Sequence, residues 1–95
     1  MQNYADRKTR KNGAKLIGTI ISKLDNPETK AGGVSRLAER LGITPSGVSQ
    51  IVSNAWIPAS RVKTLVQIAN DLKIEIIDGS EKRAVNASDF RPDLF

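Results

Sequence analysis

Residues 34–53 leave little freedom in how they fold. Val34, Leu37, Ala38 and Leu41 share one face of a short helix, Gly42 stops it, and Ile43 follows at once. Thr44-Pro45 then opens another helix. The threonine hydroxyl can accept from an unpaired N–H of the first turn, and proline at the first helical position lacks an N–H that would have no partner there. Val48, Ile51 and Val52 face inward from this second helix. Two helices crossing at about 90–120° through a turn of three or four residues bring their backbones close together. Ala38 is small enough to permit that approach, and Gly42 can adopt the positive φ of the turn. Leu37, Leu41, Ile43, Val48 and Ile51 fill the wedge between the helices. An ordinary helical hairpin is the rival reading, but it does not require this combination of residues at this spacing.

Apolar periodicity predicts further helices around this unit. Leu16, Ile17, Ile20, Ile21 and Leu24 follow Ala14 in an amphipathic pattern, and Asp25-Asn26-Pro27 ends it. Pro58 opens a helix whose stripe is Val62, Leu65, Val66, Ala69 and Leu72. Ile74-Glu75-Ile76 alternates as a strand does, Asp78-Gly79-Ser80 reads as a turn, and residues 84–90 read as a last helical turn or two before Arg91-Pro92. Residues 1–12 are polar and basic with no apolar face, which reads as a flexible arm or a frayed helix start. The expectation is one all-α domain over residues 13–95, of about five helices, with residues 74–77 the place where a short strand can intrude.

Composition narrows the function classes. The chain has no histidine and no cysteine, so disulfides, thiolate or imidazole metal sites, cysteine nucleophiles and histidine bases are excluded. No catalytic residue, cofactor or small-molecule ligand is indicated, and an enzyme is the weakest hypothesis. The core should be aliphatic, because the only aromatics are Tyr4, Trp56, Phe90 and Phe95. A net charge of +5 is unevenly placed: residues 1–15 carry five bases and one acid, and residues 74–95 carry three bases and five acids. A basic front of this kind points to a polyanion, most simply nucleic acid. There is no secretory h-region and no apolar run near the ~20 residues of a bilayer span, so the expectation is a cytoplasmic protein with no membrane partner.

The stretch Gly32-Gly33-Val34-Ser35-Arg36-Leu37-Ala38, with Gly42-Ile43-Thr44-Pro45-Ser46-Gly47-Val48-Ser49-Gln50-Ile51, resembles the DNA-binding unit of Cro/repressor-type phage helix-turn-helix regulators. Ile57-Pro58-Ala59-Ser60-Arg61-Val62 and Phe90-Arg91-Pro92-Asp93-Leu94-Phe95 resemble later segments of short Cro-like and YdaS-like proteins. The resemblance runs from Gly32 to the end and leaves the basic arm outside it. Val34 stands where members often carry Gln, which argues against a side-chain phosphate contact there, and residues 25–33 form a longer link than usual. The resemblance implies a lambda-repressor-like fold and sequence-specific binding of operator DNA by a phage or prophage transcription repressor. It also implies a homodimer, at least on DNA, acting on the nucleoid of a bacterial host.

Within that reading, helix 44–53 enters the major groove. Thr44, Ser46, Ser49 and Gln50 are the candidate base readers, with Gln50 foremost because its amide can pair bidentately with adenine. Ser35, Arg36, Ser53 and Asn54 are candidate phosphate contacts, together with the N–H groups at the start of the preceding helix. Helix 44–53 contains no Arg or Lys. Electrostatic attraction is therefore expected from Arg7, Lys8, Arg10 and Lys11 in the arm, tracking phosphates or entering a minor groove. Trp56 should be partly buried in the loop after that helix. Phe90, Leu94 and Phe95 should either pack back on the helices or join a twofold interface. A different class of function is an antitoxin-type or other protein-binding regulator, in which the helix-turn-helix serves autoregulation and the acidic tail holds a partner.

Overall fold

The computed structural model describes residues 7–91, and of these the side chains of all but residues 7–10 and 78. Five helices and one hairpin follow in the order α1 (Arg7–Leu24), α2 (Gly33–Leu41), α3 (Pro45–Asn54), α4 (Ala59–Asp71), β1 (Glu75–Asp78), β2 (Glu81–Ala84) and α5 (Ala87–Phe90). Among the described residues, no helix is long and apolar enough to cross a membrane.

Within the described residues helix α1 runs from Arg7, about two turns before its apolar stripe, so of the two alternatives the backbone of residues 7–12 takes the helix. Gly13 explains why the stripe underestimates the helix: it lies buried against Ile57 and Phe90 and carries no apolar side chain to mark the contact. Arg and Lys are good helix formers, so the preceding turns extend it readily. Residues 1–6 lie outside the described residues.

The α2–α3 unit is built as its residues require. Gly42 closes α2 at φ 72°, where its N–H reaches the Ala38 and Glu39 carbonyls. Ile43 N–H donates to the Ala38 carbonyl at 3.0 Å. Ala38 is buried at the crossing, and Thr44 caps α3 by accepting from the Gly47 N–H at 3.1 Å.

Ile17 and Ile20 of α1, Leu37 and Leu41 of α2, and Val48 of α3 meet Val62, Leu65, Ile68 and Ala69 of α4 in one core. Val66 and Leu72, placed on the α4 stripe by periodicity, are only partly buried, while Ile68 is fully inside. Ile57, in the loop before α4, is wholly buried and locks that loop to the core. Phe90 is also fully buried, with α5 packed on α1 and α4, so this part of the apolar tail packs back into its own chain. Leu94 and Phe95 lie outside the described residues.

The all-α expectation is corrected at one place. Strands β1 and β2 form an antiparallel pair with Ile76 opposite Arg83 and Ile77 opposite Lys82. Gly79, at φ 67°, makes the turn. Strand β2 (Glu-Lys-Arg-Ala) shows no apolar alternation, so nothing in its own pattern announces a strand. What fixes it is a tertiary clamp: Arg83 grips Asp89 of α5 through two hydrogen bonds of 2.8 and 2.6 Å.

Candidate nucleic-acid interface

The register of α3 divides it cleanly. Val48 is buried and Ile51 and Val52 are half-buried, which turns Ser46, Ser49, Gln50, Ser53 and Asn54 to solvent. Thr44 is exposed at the leading end, with its oxygen engaged as the cap. The sequence-predicted readers therefore share one surface, and that surface carries amides and hydroxyls but no charge. Such groups can donate to or accept from base edges, yet they supply little long-range attraction to a polyanion.

The start of α2 is different from what its position implies. Asp25 Oδ1 accepts from the Gly33 N–H at 2.7 Å, so a carboxylate of this chain sits directly before the Val34 and Ser35 N–H groups where an external phosphate was expected. In return, Arg36, in the first turn of α2, donates through Nη1 to the Leu24 carbonyl at the end of α1. Each helix end thus supplies the other's missing partner. The approach is so close that a Cβ on Gly33 would lie 2.2 Å from the Ile21 carbonyl oxygen and 2.3 Å from Asp25 Oδ1. Ser35 remains exposed beside this junction, but an incoming phosphate there faces the negative charge of Asp25. Arg36 is exposed and is tied to α1.

The other described arginines are also engaged internally. Arg61 Nη1 donates to the Leu41 carbonyl, the last of α2, at 2.7 Å. Arg91, buried, donates to the Ile57 carbonyl at 2.8 Å and sits 5.6 Å from the centre of the Trp56 ring. Arg40 and Asp71 form an exposed pair at 3.4 Å. Asp89 takes the Arg83 guanidinium and also accepts from the Asn86 N–H at 2.8 Å. The hydrogen bonds from Arg83 hold the Asp89 carboxyl below its ordinary value; burial opposes them and the Asn86 N–H adds to them.

Lysine behaves oppositely. Among the described residues no lysine has an ion-pair partner. Two of them, Lys11 and Lys15 on α1, line an open groove of about 940 Å³ whose other wall is α3 and the loop behind it, with Gln50, Ser53, Asn54 and Trp56. Among the described residues no acidic side chain lines the groove. Trp56, expected to be partly buried, is instead exposed there at 47%. Of the expected basic arm, Lys11 is thereby placed beside the exposed polar face of α3; the side chains of Arg7, Lys8 and Arg10 lie outside the described residues. Lys15 was not singled out by sequence reasoning. Its signal is the i, i+4 relation to Lys11, which carries meaning only once the helix is known to start before residue 11.

No group of three or more His, Cys, Asp or Glu side chains able to hold a metal ion occurs among the described residues. Comparison of the chain with protein-family models, with curated proteins and with solved structures gives no match.

Proposed function

We propose that this chain is a sequence-specific duplex-DNA-binding transcription regulator of the Cro/repressor kind, acting as a phage or prophage repressor. Helix α3 enters the major groove of an operator, and the protein binds as a homodimer on a near-palindromic site. The observation that carries the reading is the face of α3. Ser46, Ser49, Gln50 and Ser53 are exposed together on a rigid two-helix unit whose inward residues, Ala38, Leu41 and Val48, are buried. A surface helix with no structural use for its outward polar groups, held at a tight turn beside unpaired lysines, has the form of a base reader.

The reading makes separate demands on affinity and specificity. Gln50 can present donor and acceptor together to adenine, whereas the serines discriminate less. Selection of bound fragments from a random duplex pool should return a defined half-site repeated at a fixed spacing of about one helical turn or a multiple of it. Gln50→Ala should then lose about 1–3 kcal/mol on that site, confined to one or two base-pair positions. Equal weakening on every sequence removes Gln50 as a reader, and a pool that returns no shared sequence overturns the assignment.

A further inference from the structure

We infer that the groove between the N-terminal half of α1 and the C-terminal half of α3 seats the sugar–phosphate backbone flanking the bases that α3 reads. Lys11 and Lys15 are its phosphate-binding cations, in place of the N-terminus of α2. The inference rests on the reading of α3 as a duplex-DNA reader and adds which part of the chain anchors the strand.

Three observations converge on it. First, the phosphate-binding position that the two-helix unit would normally offer already carries a negative charge, because Asp25 accepts from the Gly33 N–H, and Arg36 beside it is tied to the Leu24 carbonyl. An anion placed there meets a carboxylate. Second, Arg36, Arg40, Arg61, Arg83 and Arg91 are all turned to partners within the chain, so among the described side chains the positive charge left for an external anion is lysine. Third, Lys11 and Lys15 lie one turn apart on α1 and open into a groove with no acidic lining among the described residues. That groove is continuous with the reading face, since Gln50 and Asn54 belong to its far wall.

Residues at i and i+4 of a helix have their Cβ atoms about 5–6 Å apart. Two flexible ammonium groups on that spacing can follow successive phosphates of one strand as point charges, without the fixed fork that arginine imposes. A strand lying against them passes directly beside Gln50. Affinity and salt dependence then come from α1, and sequence preference comes from α3.

The test uses the full chain with Lys11→Gln and Lys15→Gln together, both exposed helical positions where glutamine is a good helix former. The control is Lys23→Gln with Lys30→Gln, which removes the same charge at the other end of α1, where these residues flank the link to α2. Binding is measured on the selected site and on an unrelated duplex over a range of salt concentrations. Loss of two phosphate contacts should lower the slope of log K against log salt by about 1.8, and weaken both duplexes alike by on the order of tenfold or more. The control pair should leave the slope near that of the parent, and Lys11→Arg with Lys15→Arg should restore it. Sequence-selective binding with an unchanged slope in the Lys11/Lys15 variant overturns the inference and leaves the functional reading standing. A slope that depends on these lysines, on a protein with no sequence preference, upholds Lys11 and Lys15 as phosphate-binding cations and sinks the functional reading together with the base-reading role of α3. A parent protein that binds no duplex overturns both.

Discussion

The two ends of α1 treat charge in opposite ways. At its C-terminal end, Asp25 and Arg36 complete each other's helices and Gly33 is pressed against the Ile21 carbonyl, so these two charges are spent on helix-end backbone groups. At its N-terminal end, Lys11 and Lys15 stand along an open groove without an ion-pair partner. Both regions are polar in sequence, and net charge alone ranks them by the number of basic residues. The structure ranks them by what each charge already touches. A guanidinium tied to a helix-end carbonyl works for the fold, and an ammonium left in a groove is available to something else. Substitutions can break or sharpen that contrast.

The largest effect should come from Gly33→Ala. A methyl group at this position overlaps backbone at 2.2 Å, and the Ile21 carbonyl cannot yield without moving α1 against α2. Overpacking against backbone costs at the upper end of its range, about 3 kcal/mol. That is a large share of the ~5–15 kcal/mol that holds a domain folded. Chemical denaturation should show a strongly lowered midpoint. A midpoint equal to the parent's would mean that the junction is looser than its contacts indicate, and that the start of α2 is open to an anion after all.

Arg61→Met comes next. The methionine keeps much of the apolar stem but leaves the Leu41 carbonyl, at the part-buried end of α2, without its donor. An unsatisfied buried acceptor costs about 1–3 kcal/mol. Lys15→Met, by contrast, should stay within about 0.5 kcal/mol of the parent, because an exposed side chain with no partner contributes little to folding. Measuring both by denaturation separates structural cations from available ones directly. Equal losses would erase the distinction.

The same distinction explains what could be read from the chain alone. The α2–α3 unit was legible because its determinants are local: Ala38, Gly42, Thr44 and Val48 act over a few residues, and the outward set on α3 follows from helix register. The start of α1 was hidden because Gly13 makes its tertiary contact without an apolar side chain, and β2 was hidden because its clamp to Asp89 is tertiary. Ile57 illustrates the limit for the core, since it is buried from within a loop. The candidate site divides in the same way. Gln50 and its neighbours follow from register, whereas the loss of Arg36 to Leu24 and the gain of Lys15 depend on which elements happen to lie alongside. Charge can be counted in a sequence, but its availability is a property of the fold.

The smallest effect tests an inward-facing charge pair far from the groove. Arg83 holds the Asp89 carboxyl below its ordinary value, near 3.8, so the folded chain binds that proton more weakly than the unfolded chain does. The stabilisation is therefore fully present above about pH 5, begins to fade as pH falls through the unfolded value, and is lost as pH passes the folded one. Asp89→Asn keeps an acceptor for the Asn86 N–H and removes the charge. The stability gap between parent and variant should be constant from pH 7 to about 5 and close below about pH 4, as followed by denaturation at each pH. A gap that persists undiminished to pH 2 would show that the ionised carboxylate is not what secures α5 to the hairpin. Duplex affinity at neutral pH should be the same in both proteins, because Asp89 lines neither the groove nor the outward face of α3. A charge already neutralised inside the fold should be silent in binding, whichever way it moves the stability.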